Sequence, residues 1–154
     1  VQMSHLIRPD GWSIPEDSVS RHGIAPNRAA KAGHTEEFVL ACLLDMDKQA
    51  TIRVAHNEAF DSKVVRLAML RYPVETVGAT WDKAKGVCSM RAALDYLAKK
   101  NPSTFYGRQV KIEQVYEDVL GDPFPYGKDA MDWVTAVQEI YFEVLRQRSL
   151  GEAA

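Results

Sequence analysis

The amino-acid sequence predicts a single α/β domain, and two features of the chain lead to this prediction. Candidate strands and helices alternate through the first half, which is the order found in α/β proteins, and helical periodicity dominates the second half. The 154 residues are enough to bury one hydrophobic core. We therefore expect residues 1–154 to form one domain.

The first half of the chain gives the following elements in order. Residues 2–7 are predicted to form a strand that ends at the turn-like sequence of residues 8–11, and short helical turns follow through residues 22–30. Residues 35–48 are predicted to form a helix with Thr35 as its N-cap and two glutamates in its first turn. Residues 51–55 alternate in polarity and predict a short strand.

The remaining elements are mostly helical. Asn57 is a candidate cap for a helix over residues 58–71, in which Phe60, Val64 and Leu67 repeat at helical spacing before Pro73 stops it. Residues 74–77 are a weak strand candidate. Three helices over residues 89–99, 111–120 and 129–148 close the chain.

The composition of the chain excludes few classes of function. The net charge of −2 and the sequence pI of about 6.1 give no overall basic surface for nucleic acid, although an enzyme that grips one strand end needs only a local basic lining. The sequence has no CxxC pair, no signal peptide and no apolar run of about 18 residues, so we expect a cytoplasmic protein without a membrane partner.

The most informative segment is residues 54–61, Val-Ala-His-Asn-Glu-Ala-Phe-Asp, where a predicted strand runs directly into a helix. An aspartate in the first turn of such a helix can point into the crevice in which α/β sheets bind ligands, and Asp61 is therefore a candidate metal ligand. A structural interpretation stays open, in which Asn57 only caps the helix, Asp61 only complements the helix dipole, and Phe60 lies in the core.

This segment resembles the second sequence motif of the DnaQ-like (DEDD) 3′–5′ exonucleases, in which a strand ends in His-Asn and Phe-Asp opens the next helix. Further similarity to the family extends over nearly the whole chain, through residues 7–15, 22–24, Gly33 and 111–124. The resemblance implies a ribonuclease-H-like three-layer fold and removal of nucleotides from single-stranded 3′ ends. It also implies two Mg²⁺ or Mn²⁺ ions held by four acidic residues, an arrangement that clamps the attacking and leaving oxygens.

The sequence departs from the family at the first motif, an Asp-x-Glu pair on the opening strand. No such pair stands on a strand here, and residues 3–9 resemble the family's third strand, so we expect the first two strands to be absent. The first of them would lie beside the strand that contains Val54, and its loss would leave backbone groups unpaired. Truncation of a longer reading frame is the simplest account.

The second departure is at the last motif, where the family has a histidine and, five residues later, an aspartate. Alignment on Asp129, Ala130 and Val134 puts Lys128 at the histidine position and Trp133 at the aspartate position. Asp132 is displaced by one residue, which turns a helical side chain by about 100°. We interpret Asp132 as a surface acid, on a solvated stripe with Ala136, Glu139 and Glu143. The predicted core stripe of this helix is Ala130, Val134, Val137, Tyr141 and Val144.

The alternative is that a local irregularity turns Asp132 inward, with Lys128 and Asp132 matching the spacing of the family's tyrosine variant. The candidate catalytic residues are therefore Asp61, Asp132 and Lys128, and the candidate metal ligands are Asp61 and Asp132. Lysine is a poor general base unless its pKa falls strongly. The resemblance adds His22, His56, Asn57 and Phe60 as candidate substrate contacts, and a structural hydrogen bond is an equal interpretation for His56.

Three functions follow from these observations. The first is a 3′–5′ exonuclease domain that is impaired in this copy. The second is a nucleic-acid-binding module that keeps the fold without the metals. The third is an interaction domain associated with a polymerase or another nuclease subunit.

Overall fold

The computed structural model describes residues 2–72, 81, 85–103 and 110–152, with side chains up to residue 150. The described elements are, in chain order, α1 (Glu16–His22), α2 (Pro26–Ala32), α3 (Glu36–Gln49), β1 (Ile52–Ala55), α4 (Glu58–Met69), β2 (Lys85–Cys88), α5 (Ser89–Lys100), α6 (Ile112–Leu120) and α7 (Ala130–Glu152). The predicted α/β class is confirmed, with helices predominating. Among the described helices, none is long and apolar enough to cross a membrane.

The helix α3 begins as its sequence predicts. The side-chain oxygen of Thr35 accepts a hydrogen bond from the backbone N–H of Phe38 at 3.3 Å, which satisfies one of the free donors of the first turn. The other end of α3 is fixed to β1 by a buried ion pair between Asp47 and Arg53, 3.1 Å apart. The Arg53 guanidinium also lies 3.9 Å from the ring centroid of Trp81, so these three residues join α3 to the start of the sheet.

The sheet consists of β1 and β2, which run parallel with Ile52 opposite Lys85 and Ala55 opposite Cys88. The helix α4 lies between them in the chain, as parallel pairing requires a crossover. The sequence predicted β1 but not β2, and the weak strand candidate at residues 74–77 lies outside the described residues. Within the described part of the chain, β2 is the one strand beside β1, and the other edge of β1 is open.

The predicted strand over residues 2–7 is wrong. Pairing is limited to one parallel bridge, in which the Arg8 N–H donates to the His34 carbonyl at 2.8 Å and the His34 N–H donates to the Leu6 carbonyl at 2.7 Å. His34 lies in the short gap between α2 and α3, so the ladder stops after one step. Gly33 permits the close approach, because a Cβ there would lie 2.6 Å from the Arg8 nitrogen.

Two clusters of buried side chains form the core. The larger joins α5, α6 and α7 and contains Ala93, Leu97, Ile112, Val115, Tyr116, Val119, Ala136, Ile140 and Val144. The smaller joins α3, α4 and Trp81 through Leu40, Leu44 and Ala68. The predicted apolar face of α4 is only partly used, since Phe60, Val64 and Leu67 remain about half or more exposed. The interpretation of Phe60 as a core residue is therefore wrong.

The predicted core stripe of α7 is confirmed at Val144, which is buried, and at Val137, which packs against the larger core cluster, but it is wrong at Ala130 and Val134. Ala136, Ile140 and Val144 are buried against α5 and α6, whereas Ala130 and Val134 are exposed. The predicted solvated stripe is wrong at Ala136 and also at Glu139, whose half-buried carboxylate accepts a hydrogen bond from the Tyr116 hydroxyl at 2.8 Å. Two sides of α7 carry apolar residues, and α5 and α6 cover the side that carries Ala136, Ile140 and Val144.

Candidate functional site

The turn between β1 and α4 sets the direction of the Asp61 side chain. Asn57 adopts a left-handed conformation with a φ of 70°, and its carbonyl accepts a hydrogen bond from the Phe60 N–H at 2.8 Å, which starts the helix. Asn57 occupies the N-cap position as the sequence predicts, but its side chain makes no capping hydrogen bond. Asp61 then lies in the first turn of α4 and faces the space beside the carboxyl end of β1.

We name this space the Asp61 crevice. It lies between β1 and α7, has a volume of about 580 Å³, and is lined by Ile52, Val54, Ala55, His56, Asp61, Trp133, Val134, Val137, Gln138, Tyr141 and Phe142. Most of these side chains are apolar. A second crevice of about 380 Å³ also borders Val54, Ala55, Asp61 and Val134 and extends to Leu43, Met46 and Trp81 of the smaller core cluster. Among the described residues, β1 is therefore bordered by apolar space on the side of α7 and on the side of α3.

The surroundings of Asp61 disfavour its charged form. Partial burial raises the pKa of the Asp61 carboxyl above its ordinary value, and the charge of Glu58, one turn earlier in α4, raises it further. His56 acts in the opposite direction. Glu58 itself accepts a hydrogen bond from Ser62, and its carboxylate packs over Gly86 of β2, where a Cβ would lie 2.5 Å from the Glu58 Oε1. A cation near this pair of carboxylates would relieve their repulsion.

The structure brings Trp133, and not Asp132, to the same crevice as Asp61. The indole of Trp133 is 41% exposed and lines the crevice, with its Nε1 donating to the Gly127 carbonyl at 3.1 Å. Asp132 Oδ2 accepts a hydrogen bond from the Gly127 N–H at 3.1 Å, so its carboxylate is engaged by the loop that precedes α7.

The imidazole of His56 connects β1 to two later segments. Its Nε2 lies 3.0 Å from the Val110 carbonyl oxygen, and its Nδ1 lies 3.4 Å from the Ser89 hydroxyl, which also donates to the Ala55 carbonyl at 3.4 Å. The structural hydrogen bond considered for His56 is therefore present. Because His56 also lines the Asp61 crevice, it combines a structural contact with a position at the site.

A further space, with more polar residues on its lining, adjoins the Asp61 crevice, and the two share His56 and Trp133. We name this space the basic cleft. It has a volume of about 850 Å³ and is bordered by α1, the start of α6 and the loop before α7. Lys128 lies on this cleft, where its Nζ donates to the Ser20 carbonyl at 3.4 Å. The predicted catalytic residue Lys128 therefore lines the basic cleft together with Trp133 and does not line the Asp61 crevice.

The remaining predicted contacts lie elsewhere. His22 is exposed, and its Nδ1 accepts a hydrogen bond from the Ile24 N–H at 3.0 Å, as a turn histidine does. Asn57 lines a separate groove with Glu58 and the residues of β2. Phe60 is 62% exposed. Of the four candidate substrate contacts, His56 is the one that the structure brings to the Asp61 crevice.

The residues at the crevice do not make a complete metal centre. In the part of the chain that the structure describes, no group of three or more His, Cys, Asp or Glu side chains is arranged to hold a metal ion. Asp61 and Glu58 supply two carboxylates, and one of them is already hydrogen-bonded to Ser62. Two divalent ions require more carboxylate oxygens than this pair offers.

Sequence reasoning missed the residues by which α7 closes the crevice, Val137, Gln138, Tyr141 and Phe142. Their signal was present, since Trp133, Val137 and Tyr141 repeat every four residues on one side of the helix. The sequence predicts Val137 and Tyr141 as core residues, and Val137 does pack against the larger core cluster as well as lining the crevice. Comparisons of the chain with protein families, with curated proteins and with solved structures find no match.

Proposed function

We propose that this chain is a 3′–5′ exonuclease-type domain with a ribonuclease-H-like fold, in which the described residues supply only part of the metal site. The observation that carries the proposal is the position of Asp61 and Trp133 in one crevice at the carboxyl end of β1. The resemblance assigns these two positions to carboxylates that share metal ions. Their proximity supports the assignment, because nothing in the local sequence of either helix requires the two side chains to meet.

The surroundings of β1 give further support. Among the described residues, β2 is the one strand that pairs with β1, and the two crevices that border β1 are lined mostly by apolar side chains. Such surroundings suit a buried neighbouring strand, which is usually a continuous apolar run. The resemblance assigns such a neighbour to β1 and puts the Asp-x-Glu pair on it. A strand in that space would bring two further carboxylates towards Asp61.

The chemistry of the bound metals would be to stabilise the attacking and leaving oxygens of a phosphodiester. Asp61 is suited to hold one such ion, whereas the indole of Trp133 offers no metal ligand. Lys128 carries three donors and no acceptor in its ammonium form, so it can hold a phosphate but does not replace a histidine base. The residues described here therefore fit binding of a strand end better than its hydrolysis.

A pair of substitutions at Trp133 tests whether Asp61 and the position of Trp133 can hold one metal ion. Trp133→Asp adds a carboxylate beside Asp61, and Trp133→Asn is its matched control, because it removes the same indole without adding charge. We expect Mn²⁺ to bind the wild-type chain weakly and the Asp variant at least about tenfold more tightly than the Asn variant, or about 1.4 kcal/mol. Isothermal titration calorimetry measures the difference, and adding Asp61→Asn to Trp133→Asp should abolish it. Equal Mn²⁺ affinities for the Asp and Asn variants would overturn the proposal.

Activity provides the second test. We expect little or no Mn²⁺-dependent degradation of single-stranded DNA or RNA from the 3′ end by the chain as it stands. In a chain extended by a strand pair that carries Asp-x-Glu, Lys128→His with Trp133→Asp should raise the rate, since an acid–base group contributes about 10²–10⁴-fold. Robust cleavage by the unmodified chain, lost in Asp132→Asn and kept in Trp133→Phe, would show instead that Asp132 serves the site.

A non-catalytic nucleic-acid-binding module on the same fold is the second candidate. It is favoured by Trp133, which lines the Asp61 crevice together with apolar residues of α7 and β1 at the position where the family has a carboxylate. An indole suits apolar surroundings and offers no metal ligand. In that case the extended and substituted chain would bind single strands and remain inactive. A role as a subunit that associates with a polymerase or nuclease would give neither binding nor cleavage.

A further inference from the structure

Two of the four histidines of the chain, His5 and His34, lie in contact near the N-terminus. Their ring centroids are 5.0 Å apart, and the planes of the two rings are perpendicular. The ring of Phe38 lies beside both, 5.7 Å from the first imidazole and 5.1 Å from the second. His34 is exposed and His5 is only partly buried, so solutes in the surrounding water reach the pair.

The backbone fixes the position of these two imidazoles. Ile7 and His34 are partners in the parallel bridge, and its two hydrogen bonds hold the backbone of His34 against residues 6–8. Side chains of alternate residues in an extended segment point to the same face, so His5 lies on the face of Ile7 and of its partner His34. The contact between the two rings therefore follows from the register of the bridge.

The ring nitrogens distinguish this pair from the other two histidines. His22 Nδ1 accepts a hydrogen bond from a backbone N–H, and both ring nitrogens of His56 lie within hydrogen-bond distance of protein oxygens. Among the described residues, by contrast, no protein group forms a hydrogen bond with a ring nitrogen of His5 or His34. The nitrogens of this pair are therefore available to a ligand from solution.

We propose that His5 and His34 bind one divalent transition-metal ion of the Zn²⁺ type, with water in the other coordination positions. Neutral imidazole suits Zn²⁺, Ni²⁺ and Cu²⁺. With Zn–N bonds of about 2.0–2.1 Å at a tetrahedral angle, two imidazoles on one ion have ring centres about 5 Å apart. The observed separation of 5.0 Å matches this value. Phe38 borders both rings, and an apolar neighbour of this kind limits the access of water to a bound ion.

Such an ion would tighten the hold on the N-terminal segment. The backbone pairing described for this segment is the one bridge to His34, and the two metal ligands would come from its two sides. Two imidazoles are fewer protein ligands than a structural zinc site has, so we expect an exchangeable ion that stabilises the fold without being required for folding. The site uses nitrogen ligands remote in sequence from Asp61 and does not depend on the proposed function.

Isothermal titration calorimetry with ZnCl₂ tests the site in the wild-type chain, His5→Gln and His34→Gln. Loss of an outer-shell partner of a metal ligand already weakens metal binding by roughly 10–100-fold, so loss of either ligand should weaken it at least about tenfold. The matched control is His22→Gln, which removes an exposed histidine outside the pair and should leave the affinity unchanged. Asp61→Asn should also leave it unchanged, and MgCl₂ should not compete, because Mg²⁺ prefers oxygen ligands.

Two further measurements do not depend on any variant being folded. Electron paramagnetic resonance of the wild-type chain with one equivalent of Cu²⁺ should show two bound imidazole nitrogens, because Cu²⁺ binds the same ligands more tightly than Zn²⁺. At about 100 times its Kd, Zn²⁺ should slow hydrogen exchange of the Arg8 and His34 amides by up to about 100-fold, since both amides donate in the bridge. The Gly121 amide, at the end of α6, should show no change.

Several results would overturn the proposal. Equal zinc affinity in the wild type and in either pair variant would do so, and an equal loss in His22→Gln would indicate adventitious binding by any exposed histidine. A copper spectrum with one imidazole nitrogen would exclude a shared ion. Zinc binding that is lost in Asp61→Asn and kept in His5→Gln would place the ion at the carboxylates, which overturns this site and leaves the nuclease proposal standing. The opposite pattern supports this site whether or not an extended chain cleaves a strand.

Discussion

Two valines of α7 that the sequence places in one core stripe, Val134 and Val144, allow a matched stability test. Val144 is 1% exposed in the larger core cluster, whereas Val134 is 56% exposed at the Asp61 crevice. Replacing either valine by alanine on the same helix removes the same two methyl groups and gives the same gain in helix propensity, so the difference between the variants isolates burial. At about 0.8 kcal/mol for each buried carbon plus the energy of the cavity, Val144→Ala should cost about 2–3 kcal/mol.

Val134→Ala should change the free energy of unfolding by no more than about 0.5 kcal/mol, because its side chain has little contact to lose. For a chain of this size each kcal/mol shifts the midpoint temperature by about 2–4 °C, so Val144→Ala should unfold about 4–12 °C lower than the wild type. Urea unfolding followed by circular dichroism gives the free energies, and thermal unfolding gives the midpoints.

The result that would refute this reasoning is a loss in Val134→Ala as large as that in Val144→Ala. It would mean that Val134 is packed in the core as the sequence predicts, and that the Asp61 crevice is closed in solution. A loss in neither variant would mean that α7 does not dock on α5 and α6.

Two further predictions concern titrating groups. Because the pKa of Asp61 is raised in the folded chain, the folded state holds its proton more tightly than the unfolded state, and stability falls as pH rises from the ordinary Asp pKa of about 3.9 through the raised value. Asp61→Asn should therefore unfold at higher urea than the wild type at neutral pH and at similar urea near pH 3; equal stability at both pH values would contradict the raised pKa of this carboxyl. Burial first, and then the hydrogen bond to Glu139, raises the pKa of Tyr116 to about 12. Glu139→Gln should lower that pKa in an ultraviolet titration and cost about 1–3 kcal/mol in urea unfolding, and an unchanged titration would show that Tyr116 does not bond to Glu139.

Local chemistry made several elements predictable from the sequence alone. The Thr35 cap, the strand over residues 52–55 and the helix that starts at Glu58 all depend on neighbours within one or two turns, and each is present in the structure. The same reasoning gave Asp61 its place in the first turn of α4. It also gave the register that separates Trp133 from Asp132, since one residue on a helix fixes the direction of a side chain.

The tertiary structure determines several features that the periodicity of apolar residues does not predict. Periodicity puts Val134 and Val144 in one core stripe of α7, and the fit of Ala136, Ile140 and Val144 against α5 and α6 decides that Val144 is buried while Val134 stays exposed. The strand β2 has little signal of its own and forms because β1 pairs with it. The basic cleft joins residues from Arg21 to Lys128. Burial, strand pairing and clustering of charge are properties of surfaces that meet in space, so no stretch of the chain specifies them by itself.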